Sequence, residues 1–152
     1  MNETAEEGRE KIVDDNIYLM NAADRIELIR RGVPAARLAV LSAQMGMPEG
    51  RLLALLGMSR ATVSRKVRGN QPLAPDESER VLGVESLIGQ VDTMVRESGE
   101  PAGFDPAKWV AGWLATPVPA LNGRTPASYL DTVEGQKLLA SLLAMAQNGT
   151  YA

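Results

Sequence analysis

The chain has 152 residues, a net charge of −3, 45% hydrophobic and 23% charged residues, and neither cysteine nor histidine. That size suits one compact domain or two small ones, and the missing residue types exclude disulfides, Cys- or His-based metal sites and any mechanism that needs a thiol or an imidazole. Aromatic residues are scarce while Leu and Ala abound, so the core should be aliphatic and the fold all-α.

Residues 1–20 read as an acidic arm, flexible or folded. Its first fifteen residues carry Glu3, Glu6, Glu7, Glu10, Asp14 and Asp15 against Arg9 and Lys11, so without them the net charge of −3 becomes +1. The arm lacks the apolar centre of a signal peptide, and no stretch is long enough to span a membrane, so a cytoplasmic protein is expected.

A DNA-binding domain is predicted over 21–75. Ala22 to Arg31 should be helical with Ile26 and Ile29 inward, closed by Gly32. Pro34 should open a second helix carrying Leu38, Leu41 and Met45, closed by Gly46. Pro48 should open a third, where Leu52, Leu53, Leu55 and Leu56 are dense enough to be buried on most sides. Gly57 can then take the left-handed conformation, Met58 supplies an apolar plug, and Ser59 is a good N-cap for a fourth helix ending at Gly69. In that fourth helix Val63 and Val67 lie four apart on one face, and no Asp or Glu interrupts residues 51–74, where Arg51, Arg60, Arg65, Lys66 and Arg68 concentrate positive charge. A short helix, a Gly turn and a basic second helix are what the helix-turn-helix needs, since its second helix packs inward on one side and meets the major groove on the other. Arg60, Thr62, Ser64 and Arg65 are the candidates for base edges. Ser59, Lys66 and Arg68 are the candidates for phosphates. Leu53 stands where such domains usually carry a small residue, and Lys66 where an apolar one is common.

The segment 76–99 reads as a longer linking helix. Val81, Val84, Ile88, Val91 and Val95 form its stripe, Asp76 with Glu79 resembles a capping pair, and Gly99 marks its end. The stripe suits either a dimer seam or packing within the chain. Residues 100–152 differ in character. Asp105 should cap and Pro106 open a helix with Trp109 and Trp113 on one face, read as core anchors of a small module. A Pro-rich turn with Asn122 and Gly123 follows, then a short helix from Pro126 through Leu130 and a last helix from about Val133 to Gln147. Asp105, Asp131 and Glu134 sit at helix starts, where capping accounts for them without catalysis, so no enzyme is expected.

Trp113, Leu114, Pro117, Leu121, Gly123, Pro126, Leu130, Thr132 and Gly135, at these spacings, resemble the toxin-binding domain of the MbcA/ParS/Xre-type antitoxins. The run from Gln71 to Leu87 resembles the family's linking region. The resemblance implies an antitoxin that neutralises a RES-domain, NAD-degrading toxin and represses its own operon. It further implies that the C-terminal segment Asn148, Gly149, Thr150, Tyr151 and Ala152 enters the toxin's active site, with the preceding helix as docking surface. The implied partners are the RES-domain toxin and operator DNA, in a homodimer or a larger hetero-oligomer with the toxin; no cofactor is implied. The alternative is a stand-alone transcriptional regulator whose C-terminal module dimerises or binds a ligand.

Overall fold

A computed structural model describes residues 16–99 and 102–147. Among these residues it contains seven α-helices and no β-strand: α1 (Ala22–Arg31), α2 (Arg37–Met45), α3 (Glu49–Leu55), α4 (Arg60–Arg68), α5 (Pro75–Glu97), α6 (Pro106–Leu114) and α7 (Val133–Gln147). Single 3-10 turns lie at Ile17–Leu19, Pro119–Leu121 and Pro126–Tyr129. The all-α expectation is met.

Local chemistry accounts for most of the boundaries. Asn21 caps α1 by accepting from the Asp24 N–H at 2.9 Å, and Gly32 ends it at φ +84°. Only glycine fits there, because a Cβ would stand 2.4 Å from the Leu73 carbonyl oxygen. The second helix starts later than Pro34. Residues 33–35 instead pair with 71–73, Leu73 N–H donating to the Val33 carbonyl at 2.8 Å and Ala35 N–H to that of Gln71 at 3.2 Å. That pairing keeps the backbone extended until a turn at Pro34–Ala36 leads into α2. Gly46, at φ +68°, closes α2 as expected.

The long helix α5 is the spine. It packs on α1, α6, α7 and the Ile17–Leu19 turn, while α2 packs on both α3 and α6. Its buried residues include Val81, Leu82, Val84, Leu87 and Val91, so the predicted stripe is used for packing within the chain. Two glycines on α5 allow close approach. A Cβ on Gly83 would lie 1.8 Å from Gln136 Oε1, and one on Gly89 would lie 1.9 Å from Asn16 Oδ1. Asn16 Nδ2 donates to the Gly89 carbonyl at 2.9 Å and to Thr93 Oγ1 at 3.0 Å. Residues 16–20, grouped with the acidic arm in the sequence, are therefore docked on the spine.

Three packing expectations need correction. Ile26 is exposed; the inward line of α1 is Arg25, Leu28, Ile29 and Gly32, and Ile26 falls about a quarter turn beyond it. Val67 is likewise exposed, leaving Val63 as the buried anchor of α4. Of the two tryptophans only Trp113 packs against the core, and it is partly buried, while Trp109 is exposed. Ala107, Val110 and Leu114 form the buried side of α6, whereas Trp109 is 43% exposed and Trp113 half-buried. Their indoles stack, centroids 6.1 Å apart and planes 14° from parallel, so the exposed Trp109 covers the partly buried Trp113. The helical spacing put both on one face, but which face turns inward is decided by the neighbours at 107, 110 and 114.

The cap of α5 also differs. Glu77, not Glu79, reaches back to its start, accepting from the Ala74 N–H at 3.0 Å. With Pro75 as the first helical residue, Glu77 occupies the third position, from which a glutamate folds back on the cap. Asp76 pairs with Arg80 at 3.6 Å instead.

Candidate functional site

The helix-turn-helix is built as its sequence suggests. Gly57 takes φ +69°, Met58 is buried, and Ser59 Oγ accepts from the Thr62 N–H at 3.3 Å. Val63 is fully buried beneath α4. The solvent-exposed surface of α4 is formed by Ala61, Ser64, Arg65 and Arg68, with Ser59 and Arg60 at the helix start. It presents three guanidinium groups, two hydroxyls and a methyl group. Ala61 was not among the sequence-derived candidates, yet it is exposed on the same helix face as Arg65, and such a methyl can contact the thymine C5-methyl group. Only its place four residues before Arg65 could have signalled this.

The remaining candidates sit differently. Thr62 is half-buried at the flank, and its Oγ1 accepts a long contact from Arg65 Nη2 at 3.4 Å. Arg60 is exposed but its guanidinium lies over the start of α3, where a Cβ on Gly50 would stand 3.1 Å from its Cζ. Lys66 is turned aside. Its Nζ donates to Glu77 Oε1 at 2.9 Å, with side chains only 22% and 13% exposed. Burial opposes ionisation of Glu77, but the hydrogen bonds from Lys66 and the Ala74 N–H, with the Lys66 charge, outweigh it and hold the carboxyl below its usual range. The pair explains why an amine is tolerated where an apolar residue is common.

One helical turn further along α5, Arg80 Nε donates to the Leu56 carbonyl at 2.9 Å, gripping the turn of the motif. The Arg80 carbonyl in turn accepts from Gln136 Nε2 at 2.9 Å, and the same nitrogen donates to the Leu130 carbonyl at 3.0 Å. Gly57 also faces the C-terminal segment, the Cβ it lacks falling 3.7 Å from that of Asp131. Apart from the bond between Gln136 and Leu130, these contacts join residues far apart in the chain, and no local pattern announces them. A buried pair ties α2 to the spine, Arg37 Nε and Nη2 each donating to Glu85 Oε2 at 2.9 Å. Burial pushes the Glu85 carboxyl above its usual range, only partly offset by the Arg37 charge and hydrogen bond.

In the C-terminal third, Asp105 Oδ1 accepts from the Lys108 N–H at 3.1 Å and caps α6. Thr132 Oγ1 accepts from the Gly135 N–H at 2.9 Å and starts α7, with Glu134 in its first turn. Leu139, Leu142 and Leu143 bury one side of α7, while Leu138 and Met145 remain exposed on the other. The candidate toxin-binding residues Asn148, Gly149, Thr150, Tyr151 and Ala152 lie outside the described residues. Among the described residues no helix is long and apolar enough to cross a membrane.

Comparison with known proteins bears on both halves. Residues 24–84 match the antitoxin Xre-like helix-turn-helix domain, and residues 103–149 match the antitoxin Xre/MbcA/ParS C-terminal toxin-binding domain. The chain is 42% identical over 136 residues to the Prs ADP-ribosylating antitoxin of Sphingobium sp. (strain YBL2), covering 90% of this chain and 86% of that protein. It is 26% identical over 136 residues to Antitoxin Xre of Yersinia enterocolitica serotype O:8 / biotype 1B (strain NCTC 13174 / 8081), covering 79% of this chain and 86% of that protein.

Proposed function

The chain belongs to the Xre/MbcA/ParS antitoxin family, and from that premise we propose that it silences a RES-domain, NAD-degrading toxin and represses its own operon. The observation that carries the first half is the toxin-binding match, which runs through α7 to residue 149. The Sphingobium relative adds chemistry. Its name joins an antitoxin to ADP-ribosylation, a transfer whose usual donor is NAD, and both transfer and hydrolysis break the same bond between nicotinamide and ribose. A toxin that does either is stopped by whatever fills its dinucleotide pocket.

In this reading α7 docks through its outer side, with exposed Leu138 and Met145, and delivers Asn148–Ala152 to the pocket. A tyrosine ring with amide and hydroxyl donors suits a site made for a dinucleotide. The chain acts by occupancy, without chemistry of its own, in the cytoplasm where NAD and operator DNA are both present.

The second half rests on the exposed basic side of α4. Arg60, Arg65 and Arg68, with Ala61 and Ser64, face the major groove, and Ser59 at the helix N-terminus meets a phosphate. The test is to purify the chain with the product of the adjacent gene and follow NAD. Consumption by the partner alone that ceases at stoichiometric antitoxin supports the reading. Consumption unaffected by the chain, or a partner that leaves NAD intact, contradicts it.

A further inference from the structure

Two bonds from the start of α5 hold the helix-turn-helix at both ends of its working part. Arg80 Nε holds the Leu56 carbonyl, just before the turn. Glu77 Oε1 holds Lys66, in the second turn of the recognition helix. Between these points α4 buries one side chain, Val63, with Val67 exposed, and its C-terminal end is tied through the backbone by Gln71, whose N–H donates to the Lys66 carbonyl at 2.7 Å. A helix pinned by one apolar side chain can roll about it, and a roll moves base-reading side chains off their edges.

We propose that Glu77 and Arg80 are positioning residues for operator reading, and that Lys66 serves as a strut to Glu77 and not as a phosphate contact. The inference rests on the DNA-binding reading given above. Neither acidic Glu77 nor Arg80 needs to touch DNA; they set the angle at which Arg60, Ala61, Ser64, Arg65 and Arg68 meet the groove. Glu77 is suited to this because one oxygen serves two purposes, capping α5 through the Ala74 N–H and receiving the Lys66 ammonium. Any tilt of the strut is therefore referred directly to the spine.

The sign of one substitution separates positioning from simple electrostatics. Glu77→Gln removes a negative charge near DNA, so electrostatics alone predicts tighter binding. Its amide oxygen still accepts from Ala74, so α5 keeps its cap, but the ionic strut is lost. Positioning predicts operator affinity about tenfold weaker, with affinity for random duplex unchanged or raised. Lys66→Met should weaken operator binding similarly while leaving the salt dependence unaltered, and the double variant should be no worse than either single one. Lys66→Arg, which preserves the pair, should restore most of the affinity. All are measured by operator and random-duplex titration over a salt series with the full-length chain, thermal unfolding and toxin neutralisation confirming that each variant is folded.

Tighter or unchanged operator binding by Glu77→Gln overturns the proposal. So does a Lys66→Met variant whose salt slope drops by about one phosphate contact. A wild-type chain that fails to distinguish its own upstream DNA from random duplex overturns the DNA-binding reading and this inference together. A wild type that does distinguish them, and loses this on Arg65→Ala but not on Glu77→Gln, overturns the strut alone.

Discussion

Replacing Gly83 by alanine should destabilise the protein, although the residue lies inside a helix where alanine is intrinsically favoured. On helix propensity alone the change gains about 1 kcal/mol. The added Cβ, however, would meet Gln136 Oε1 at 1.8 Å and Cδ at 2.5 Å. Gln136 is 5% exposed, and a shift of its side chain away from the new Cβ pulls on its bonds to the Arg80 and Leu130 carbonyls. Overpacking costs about 1–3 kcal/mol and each of the two buried bonds about 1 kcal/mol if lost, so after the propensity gain the net expected loss is about 2–4 kcal/mol. For a chain of this size that lowers Tm by about 5–15 °C. Urea unfolding of the wild type, Gly83→Ala, Gln136→Ala and the double variant forms a cycle in which shortening Gln136 relieves the clash, so the double variant should be less damaged than the sum of the singles. A Gly83→Ala protein more stable than the wild type, by the propensity gain alone, would refute the close packing of α7 on the spine.

Arg65→Ala with Arg68→Ala should reduce operator binding by at least about tenfold and lower the salt slope, yet leave toxin neutralisation intact; gel-shift and NAD assays check both sides. Trp109→Ala should cost under about 1 kcal/mol in urea unfolding, against the roughly 3–5 kcal/mol of a core tryptophan, because its ring lies on the outer face. The two perturbed glutamates should show opposite pH signatures when the wild type is compared with each Gln variant. Glu77, held below its usual range, contributes stability that is present above about pH 4.5 and lost as pH falls through its lowered value. Glu85, pushed above that range, takes more protons in the folded than in the unfolded chain, so its contribution declines as pH rises from about 4.5 through its raised value.

What was legible in the sequence was local. Gly57, Met58 and Ser59 specify a turn by their own conformational preferences, and Asp105–Pro106 and Gly32 mark helix ends in the same way. Spacing correctly grouped Trp109 with Trp113, but periodicity says only that side chains share a face. It does not say which face is covered, and for α6 the small residues Ala107 and Val110 won the inward position. Ile26 and Val67 misled for the same reason. The remaining features join residues distant in the chain: Lys66 with Glu77, Arg80 with Leu56, Gln136 with Gly83. Each depends on where α5 runs relative to its neighbours, which no window of sequence contains.

Deleting Asn148–Ala152 tests the proposal that this segment silences an NAD-consuming partner. NAD consumption by the partner toxin is followed against the full-length and shortened chains, with complex formation measured in parallel. The shortened chain should still bind the toxin through α7 and still bind operator DNA, while NAD consumption returns. A shortened chain that protects NAD as completely as the full-length one would contradict it.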